Sequence, residues 1–512
     1  MSDENSIKGL KLLESLGVHL EGYGLLQTAI QDASPYVRRE ALRIRPQALL
    51  GEISSEHIFE LRPEAAQLLS DTDLTVAIEA IHLHAFVSSP ASLDVIGDLC
   101  VKHQYEPHLL RAALLANGSF PGPQMAKAVL SQNFDTSLPL QDFASECMKM
   151  LGRRCKDVPV NDAPFYAAQA LQSRKSIDSI TVRLMADLGA ELRKSGVSLQ
   201  DFVFEHFHDD RNKIWRQELI DSVLNTLANS KAAPSDRINA IRLLPDTGGS
   251  AEAARLSLAS LLTPNNDPTT ITTALEALGA YWEPVVADAI IEAWPTLTPP
   301  LREKAVTQLL MRADHVSKLL DAIENKTILP SQITAAAKAT LGRQKLPYLK
   351  ERIAKLIGDG SSANRKEVID KYASVMTMAG DAARGAKIYE TACMVCHKFA
   401  DKGNDVGPHL GTIKAWTADQ LVTNILDPNR EVSPNFALYL VETNDGRTLS
   451  GLITSETAGN LTLKRADGGT DTVLRSEIKT LTSPGISLMP EGLEAAITPQ
   501  QMADLIAFLK QP

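Results

Sequence analysis

Asp32-Ala-Ser-Pro-Tyr-Val37-Arg38-Arg39-Glu-Ala41-Leu42 reads as a polar turn, a proline near a helix start, and apolar residues at helical spacing around one small residue, Ala41. The pattern returns in Asp71-Thr-Asp-Leu74-Thr-Val76-Ala77-Ile78-Glu-Ala80-Ile81, with 39 residues from Ala41 to Ala80. Glu106-Pro107-His108-Leu109-Leu110-Arg-Ala-Ala113-Leu114 follows after 33 more. Residues 115–230 keep the period poorly, and then it resumes. Pro234-Ser-Asp236-Arg-Ile238-Asn-Ala240-Ile241 leads to Asp267-Pro268-Thr-Thr-Ile271-Thr-Thr-Ala274-Leu275, 34 residues on, and to Pro299-Pro300-Leu301-Arg302-Glu-Lys-Ala305-Val306, 31 after that. A period in the thirties with proline at the first helical turn and a buried small residue is the mark of stacked helix pairs, each needing close approach to the next.

The Asp32–Leu42 stretch resembles a HEAT repeat, which implies an α-solenoid over residues 1–355. Composition agrees with a helical reading: of 512 residues, 44% are hydrophobic, 22% charged and only 5% aromatic. The net charge is -10, so a general nucleic-acid partner, which needs a basic face, is excluded. No run of about 18 apolar residues occurs, which excludes a membrane-spanning helix. Residues 356–379, opening on a Gly- and Ser-rich stretch, read as a linker with one helix.

Beyond residue 380 the texture changes. Residues 437–482 alternate apolar and polar side chains, with turns at Asn444-Asp445-Gly446 and Asp467-Gly468-Gly469, and predict a small β-meander set into a helical domain. The sharpest chemical signal precedes it: Cys393-Met394-Val395-Cys396-His397. Two thiols three residues apart on one helical turn can add to the two vinyl groups of haem, and the adjacent histidine then faces the iron. With five cysteines and eleven histidines in the chain, this pentapeptide arises by chance roughly once in a thousand such sequences. A zinc site would need four ligands, and beyond His397 and His409 no further thiol lies within about 230 residues of the motif. A thioredoxin-like dithiol would want a βαβ setting, which the sequence lacks.

The flanks resemble a class I cytochrome c. Gly380-Asp381-Ala-Ala-Arg384-Gly385-Ala-Lys-Ile388-Tyr389 is a capped helix start, Gly407-Pro408-His409-Leu410-Gly411 is the loop after the motif, and Thr498-Pro499 opens a closing amphipathic helix. The resemblance implies that the Pro408 carbonyl accepts from His397 and that Gly385 permits the two terminal helices to cross. Two methionines lie downstream of the motif. Met502 sits in the closing helix, where a core role is expected, whereas Met489, in the proline-pinned loop Ser487-Leu488-Met489-Pro490, is the expected sixth ligand, with His409 the alternative. Trp416 is expected either to donate its indole N–H to a haem propionate or to serve as a core aromatic.

Within that class the segment 380–512 resembles the haem-binding Cys-x-x-Cys-His domain of large planctomycete and verrucomicrobial proteins. Asp405-Val-Gly-Pro-His-Leu410, Ile425-Leu-Asp-Pro-Asn429, Asp445-Gly-Arg-Thr-Leu-Ser-Gly451 and Ser487-Leu-Met-Pro-Glu-Gly-Leu493 carry the match, with His409 standing where that group usually has Asp. The expectation is a c-type cytochrome with one covalent haem c, its iron between His397 and Met489, and repeats that dock a redox partner, a dehydrogenase. One alternative is the electron-accepting part of a sugar or alcohol dehydrogenase whose catalytic domain is missing or separate; another is a non-redox repeat scaffold. Thioether attachment implies a periplasmic or otherwise exported protein, although Met1–Lys8 shows no signal-peptide pattern, so the expected N-terminus lies upstream or has been removed. The pairs His82/His84 and His206/His208 point away from each other on helices and are expected to be ordinary packing or surface residues.

Overall fold

The structure is a computed structural model that describes residues 7–8, 11, 25–44, 50–52, 59–61, 63–84, 90–117, 138–153, 155, 177–203, 210–357 and 363–511. It is mainly helical and divides into two compact units, residues 1–249 and 250–512. His206 and His208 lie outside the described residues.

In the first unit the helices are α1 (Leu25–Ile30), α2 (Pro35–Ile44), α3 (Pro63–Gln67), α4 (Leu74–His84), α5 (Pro90–Lys102), α6 (Pro107–Asn117), α7 (Leu138–Arg153), α8 (Ser179–Lys194), α9 (Leu199–Val203), α10 (Asp210–Ala228) and α11 (Pro234–Leu243). A short antiparallel pair, β1 (Leu50–Glu52) and β2 (Phe59–Leu61), interrupts them. Helices pack in succession: α2 on α4, α4 on α6, α6 on α7, α7 on α8, and α8 on α11. The repeated alanines explain how they approach, for Ala41, Ala80 and Ala113 are all fully buried. Charge links neighbouring turns: the Arg38 guanidinium holds both Asp71 carboxylate oxygens, at 2.7 and 2.8 Å. Further along the same helix Arg43 donates from two nitrogens to a single oxygen of Glu79. His82 lies on α4, exposed, with Nδ1 3.4 Å from Glu79.

The second unit begins with α12 (Ala251–Ala259), α13 (Pro268–Ala280), α14 (Val285–Ala293), α15 (Pro299–Leu309), α16 (Ala313–Glu324), α17 (Ala335–Gly342) and α18 (Pro347–Leu356). Here α12 packs on α14, α13 on α15, α14 on α16 and α16 on α18, with Ala274 and Ala305 fully buried in these helices. Helix α19 (Ala363–Lys371) follows, then α20 (Ala382–Ile388) and α21 (Ala418–Leu426), and α22 (Pro499–Leu509) closes the chain.

Five antiparallel strands separate α21 from α22: β3 (Tyr439–Thr443), β4 (Thr448–Glu456), β5 (Asn460–Lys464), β6 (Thr470–Leu474) and β7 (Ile478–Thr482). Their order is β6-β5-β4-β3-β7, so the last strand returns beside the first. Both Asp-Gly turns form, with Gly446 and Gly468 at φ +86°, a left-handed conformation that glycine adopts without a Cβ clash. Tyr439, Val441, Leu461, Leu463 and Val473 make the sheet's apolar face. The sheet is tied to the preceding helices by two buried arginines. Arg475 donates to the Pro264 and Asn266 carbonyls at 2.6 and 2.9 Å, while Arg302 lies between the Trp294 and Tyr439 rings. Tyr439 donates its hydroxyl to Leu297 O at 2.9 Å.

A second core gathers α19 to α22. Tyr372 and Val375, just after α19, join Tyr389, Leu421, Leu426, Met502, Leu505 and Leu509. The helix expected in the linker at 356–379 therefore buries its end in the same core as the segment after it, and Arg365 on it pairs with Glu494 at 2.7 Å.

Candidate functional site

Asp381 caps α20, accepting from the Ala383 and Arg384 amides at 2.9 and 3.0 Å. α20 then crosses α22 at backbone contact. A Cβ on Gly385 would lie 2.0 Å from Asp504 O, and one on Gly380 would lie 2.2 Å from Ala503 O, so both positions need glycine. Asp504, almost fully buried, fastens the crossing: it accepts from Asp381 N at 2.7 Å, from Arg384 Nε at 2.7 Å and from Gln500 Nε2 at 3.1 Å. The Arg384 guanidinium holds this carboxyl at a pKa of about 2.

α20 runs into a turn of π-helix, Tyr389–Cys393, which widens the helix as it delivers the cysteine motif. Tyr389 is buried against Phe399 and Phe508 and donates its hydroxyl to His397 O and Lys402 O, at 2.8 and 2.9 Å. Cys396 N and His397 N both donate to Cys393 O, at 3.1 and 2.8 Å, so the two thiols and the imidazole share one turn.

His397 is oriented from its far side. Its Nδ1 lies 2.8 Å from Pro408 O. A carbonyl oxygen can only accept, so Nδ1 carries the proton and Nε2 keeps its lone pair. Gly407 leaves the ring its space, since a Cβ there would fall 2.5 Å from His397 Cε1. Burial lowers the His397 pKa, opposed by the bond to Pro408, which keeps the ring neutral at pH 7. Burial also pushes the Cys393 thiol up to about 11 and raises that of Cys396. Both sulfurs are thus protonated at neutral pH, unlike the low-pKa thiolates of disulfide-exchange sites. Among the described residues no three of His, Cys, Asp or Glu gather in a metal-binding group, so a zinc site here would lack its further ligands.

Residues 380–443 match the model of the family Cytochrome C oxidase, cbb3-type, subunit III. This part of the chain is a cytochrome c-like domain, and such a domain binds haem. The match takes in the cysteine motif and the Gly407–Pro408 loop and stops at the end of β3. No curated protein matches the chain in sequence. Among solved structures the chain is similar to one described as "Crystal structure of Kap121p", at 13% identity and a TM-score of 0.33, covering 72% of this chain and 39% of that one.

In the cytochrome domain, the residues present fit a haem: a neutral imidazole with Nε2 available, locked from behind, and two neutral thiols on the same turn. The loop bearing Met489 is built by contacts that no local pattern announces. Asn429 accepts from Ser487 N at 2.8 Å and donates to Glu491 at 2.6 Å. Leu488 N donates to Phe436 O at 3.2 Å, Ala437 pairs with Ser487, and Ser487 Oγ accepts from Met489 N at 3.1 Å. Met489 itself is half-buried, whereas Met502 is fully buried in the helical core.

His409 caps the 3-10 turn Leu410–Ile413, its Nδ1 accepting from Gly411 N at 3.0 Å. A carboxylate at this position can make the same bond. Trp416 is 37% exposed, which removes it from the core, and its indole N–H makes no hydrogen bond among the described residues. The sheet also reaches the site. The β5–β6 turn brings Ala466 O to 3.9 Å from Cys396 Sγ, and Lys464 bonds the Asp405 backbone carbonyl. The sequence places this hairpin but does not announce that its turn touches Cys396, because the contact spans 70 residues. No helix among the described residues is long and apolar enough to cross a membrane.

Proposed function

We propose that the protein is a c-type cytochrome that passes single electrons through one covalently held haem. Cys393 and Cys396 would hold it by thioethers, and His397 Nε2 and Met489 Sδ would ligate its iron. The observation that carries this reading is the Nδ1–Pro408 bond within a Cys-x-x-Cys-His turn: it fixes the tautomer that ligation by Nε2 requires. When bound, the haem supplies the one-electron chemistry, and Met/His ligation places it in an electron-transfer range. The chain's own residues orient and shelter it. Pro408 and Gly407 hold the imidazole, Asn429 holds the methionine loop, and the β5–β6 turn shields the Cys396 side. The helical repeats, read as a HEAT-like solenoid, serve as the docking scaffold for a redox partner, a dehydrogenase, in the periplasm. Trp416, 37% exposed, would donate its indole N–H to a propionate.

The test is the visible spectrum, oxidised and reduced, of the full chain exported to a periplasm with haem-maturation machinery. A low-spin spectrum with a far-red methionine-to-iron band, lost in Met489→Ala, is the expected result. Retention of that band in the variant would remove Met489 from the site.

A further inference from the structure

Away from the cysteine motif, the second unit holds a cavity of about 430 Å³ between α15, α17 and the segment leading into the sheet. Its walls are largely apolar, formed by Val306, Leu310, Ala337 and Val432. One wall residue is Arg302, only 5% exposed. Its guanidinium reaches neutral acceptors alone: Trp294 O at 3.2 Å, Pro295 O at 3.4 Å and Ser483 Oγ at 3.4 Å. Among the described residues no carboxylate pairs with it. A buried charge without a counter-ion is costly, and burial accordingly draws the Arg302 pKa down.

A second donor stands on the same wall. Gln332 Oε1 accepts from Trp294 Nε1 at 3.2 Å and from Leu329 N at 2.9 Å, which fixes the amide orientation. Its Nε2 is left with hydrogens and no acceptor among the described residues. One cation and one amide donor on an apolar wall match a single negative charge with two oxygens on an apolar body. A phosphate dianion would leave charge uncompensated, and Glu303, also on the wall, is an exposed carboxylate that disfavours further negative charge.

We infer that this cavity is a binding site for an amphiphilic monocarboxylate, its head on Arg302 and Gln332 and its chain along Val306, Leu310, Ala337 and Val432. The site is independent of haem attachment. It is nevertheless in touch with the methionine loop, because the wall residue Ala437 pairs through its backbone with Ser487.

Titration calorimetry of the full chain tests this with three probes: octanoate, 1-octanol and inorganic phosphate. Octanoate binds at one site, at least about tenfold more tightly than either octanol or phosphate. Arg302→Gln weakens octanoate about tenfold or more. Ala337→Phe, which fills the cavity and leaves Arg302 in place, abolishes it and keeps the test open if the Arg302 variant does not fold. The inference is overturned if octanoate gives no saturable heat at millimolar concentration, if octanol binds as well, if phosphate binds more tightly, or if Ala337→Phe leaves binding unchanged.

Discussion

Replacing Gly407 with alanine aims a methyl group at the His397 ring. The new Cβ would stand 2.5 Å from Cε1, 2.8 Å from Nδ1 and 2.9 Å from Nε2. Carbon contacts relax at about 3.5–4.0 Å, so the ring or the loop must retreat by about 1 Å. A retreat of that size takes the Nδ1–Pro408 contact, now 2.8 Å, beyond hydrogen-bonding range. The lost bond costs about 1 kcal/mol and the overpacking about 1–3 kcal/mol, together about 2–4 kcal/mol. Followed by haem absorbance during urea unfolding, the variant's midpoint drops by about 1–2 M. Its reduction potential shifts as well, because the imidazole no longer donates to a fixed carbonyl. Gly459→Ala is the control, since a Cβ there meets nothing within 4 Å, and it stays within about 0.5 kcal/mol of the parent. Equal urea midpoints and potentials for Gly407→Ala and the parent would refute the claim that this glycine seats the imidazole.

Asn429→Ala releases Ser487 N and Glu491 together and loosens the methionine loop, so the far-red band weakens or is lost while haem attachment persists; an unchanged band would show that the loop is held elsewhere. Tyr389→Phe strips the buried hydroxyl from the His397 and Lys402 carbonyls and costs about 1–3 kcal/mol in urea unfolding. Arg384 holds the folded Asp504 carboxyl at about 2, below the usual 3.8 of an aspartate, so its contribution is whole above 3.8 and is lost as pH falls towards 2. With the exposure of Arg384 discounted, about 1–2 kcal/mol is at stake, and Asp504→Asn removes that part of the acid sensitivity measured between pH 5 and pH 2. Gly342→Ala, at the end of α17 with nothing within 4 Å of its Cβ, leaves stability equal or raises it by up to about 1 kcal/mol.

What the sequence makes legible is what leaves a local or periodic trace. Ala41, Ala80 and Ala113, and again Ala240, Ala274 and Ala305, recur at intervals in the thirties, and every one is fully buried. The Asp-Gly pairs announce their hairpins through the backbone conformation they require, and Thr498-Pro499 announces the start of α22, which the structure closes as a capping box with Gln501. The cysteine motif is legible because its chemistry fits within five residues. The rest depends on pairs far apart in the chain. Asp504 meets Arg384 across 120 residues, Asn429 meets Ser487 across 58, and the Ala466 turn meets Cys396 across 70. None of these imposes a period or a spacing rule. The buried Arg302 was legible only as the charged residue in a repeat helix; that it lines a cavity beside the sheet follows from tertiary packing.

The central claim is covalent haem on Cys393 and Cys396. It is tested most directly by the intact mass of the full chain, matured in a periplasm and extracted with acid acetone, beside the Cys393→Ser/Cys396→Ser double variant. The account predicts a parent chain heavier than its polypeptide by one haem and a double variant with the bare polypeptide mass. A parent chain that emerges at the bare polypeptide mass under the same conditions would contradict it.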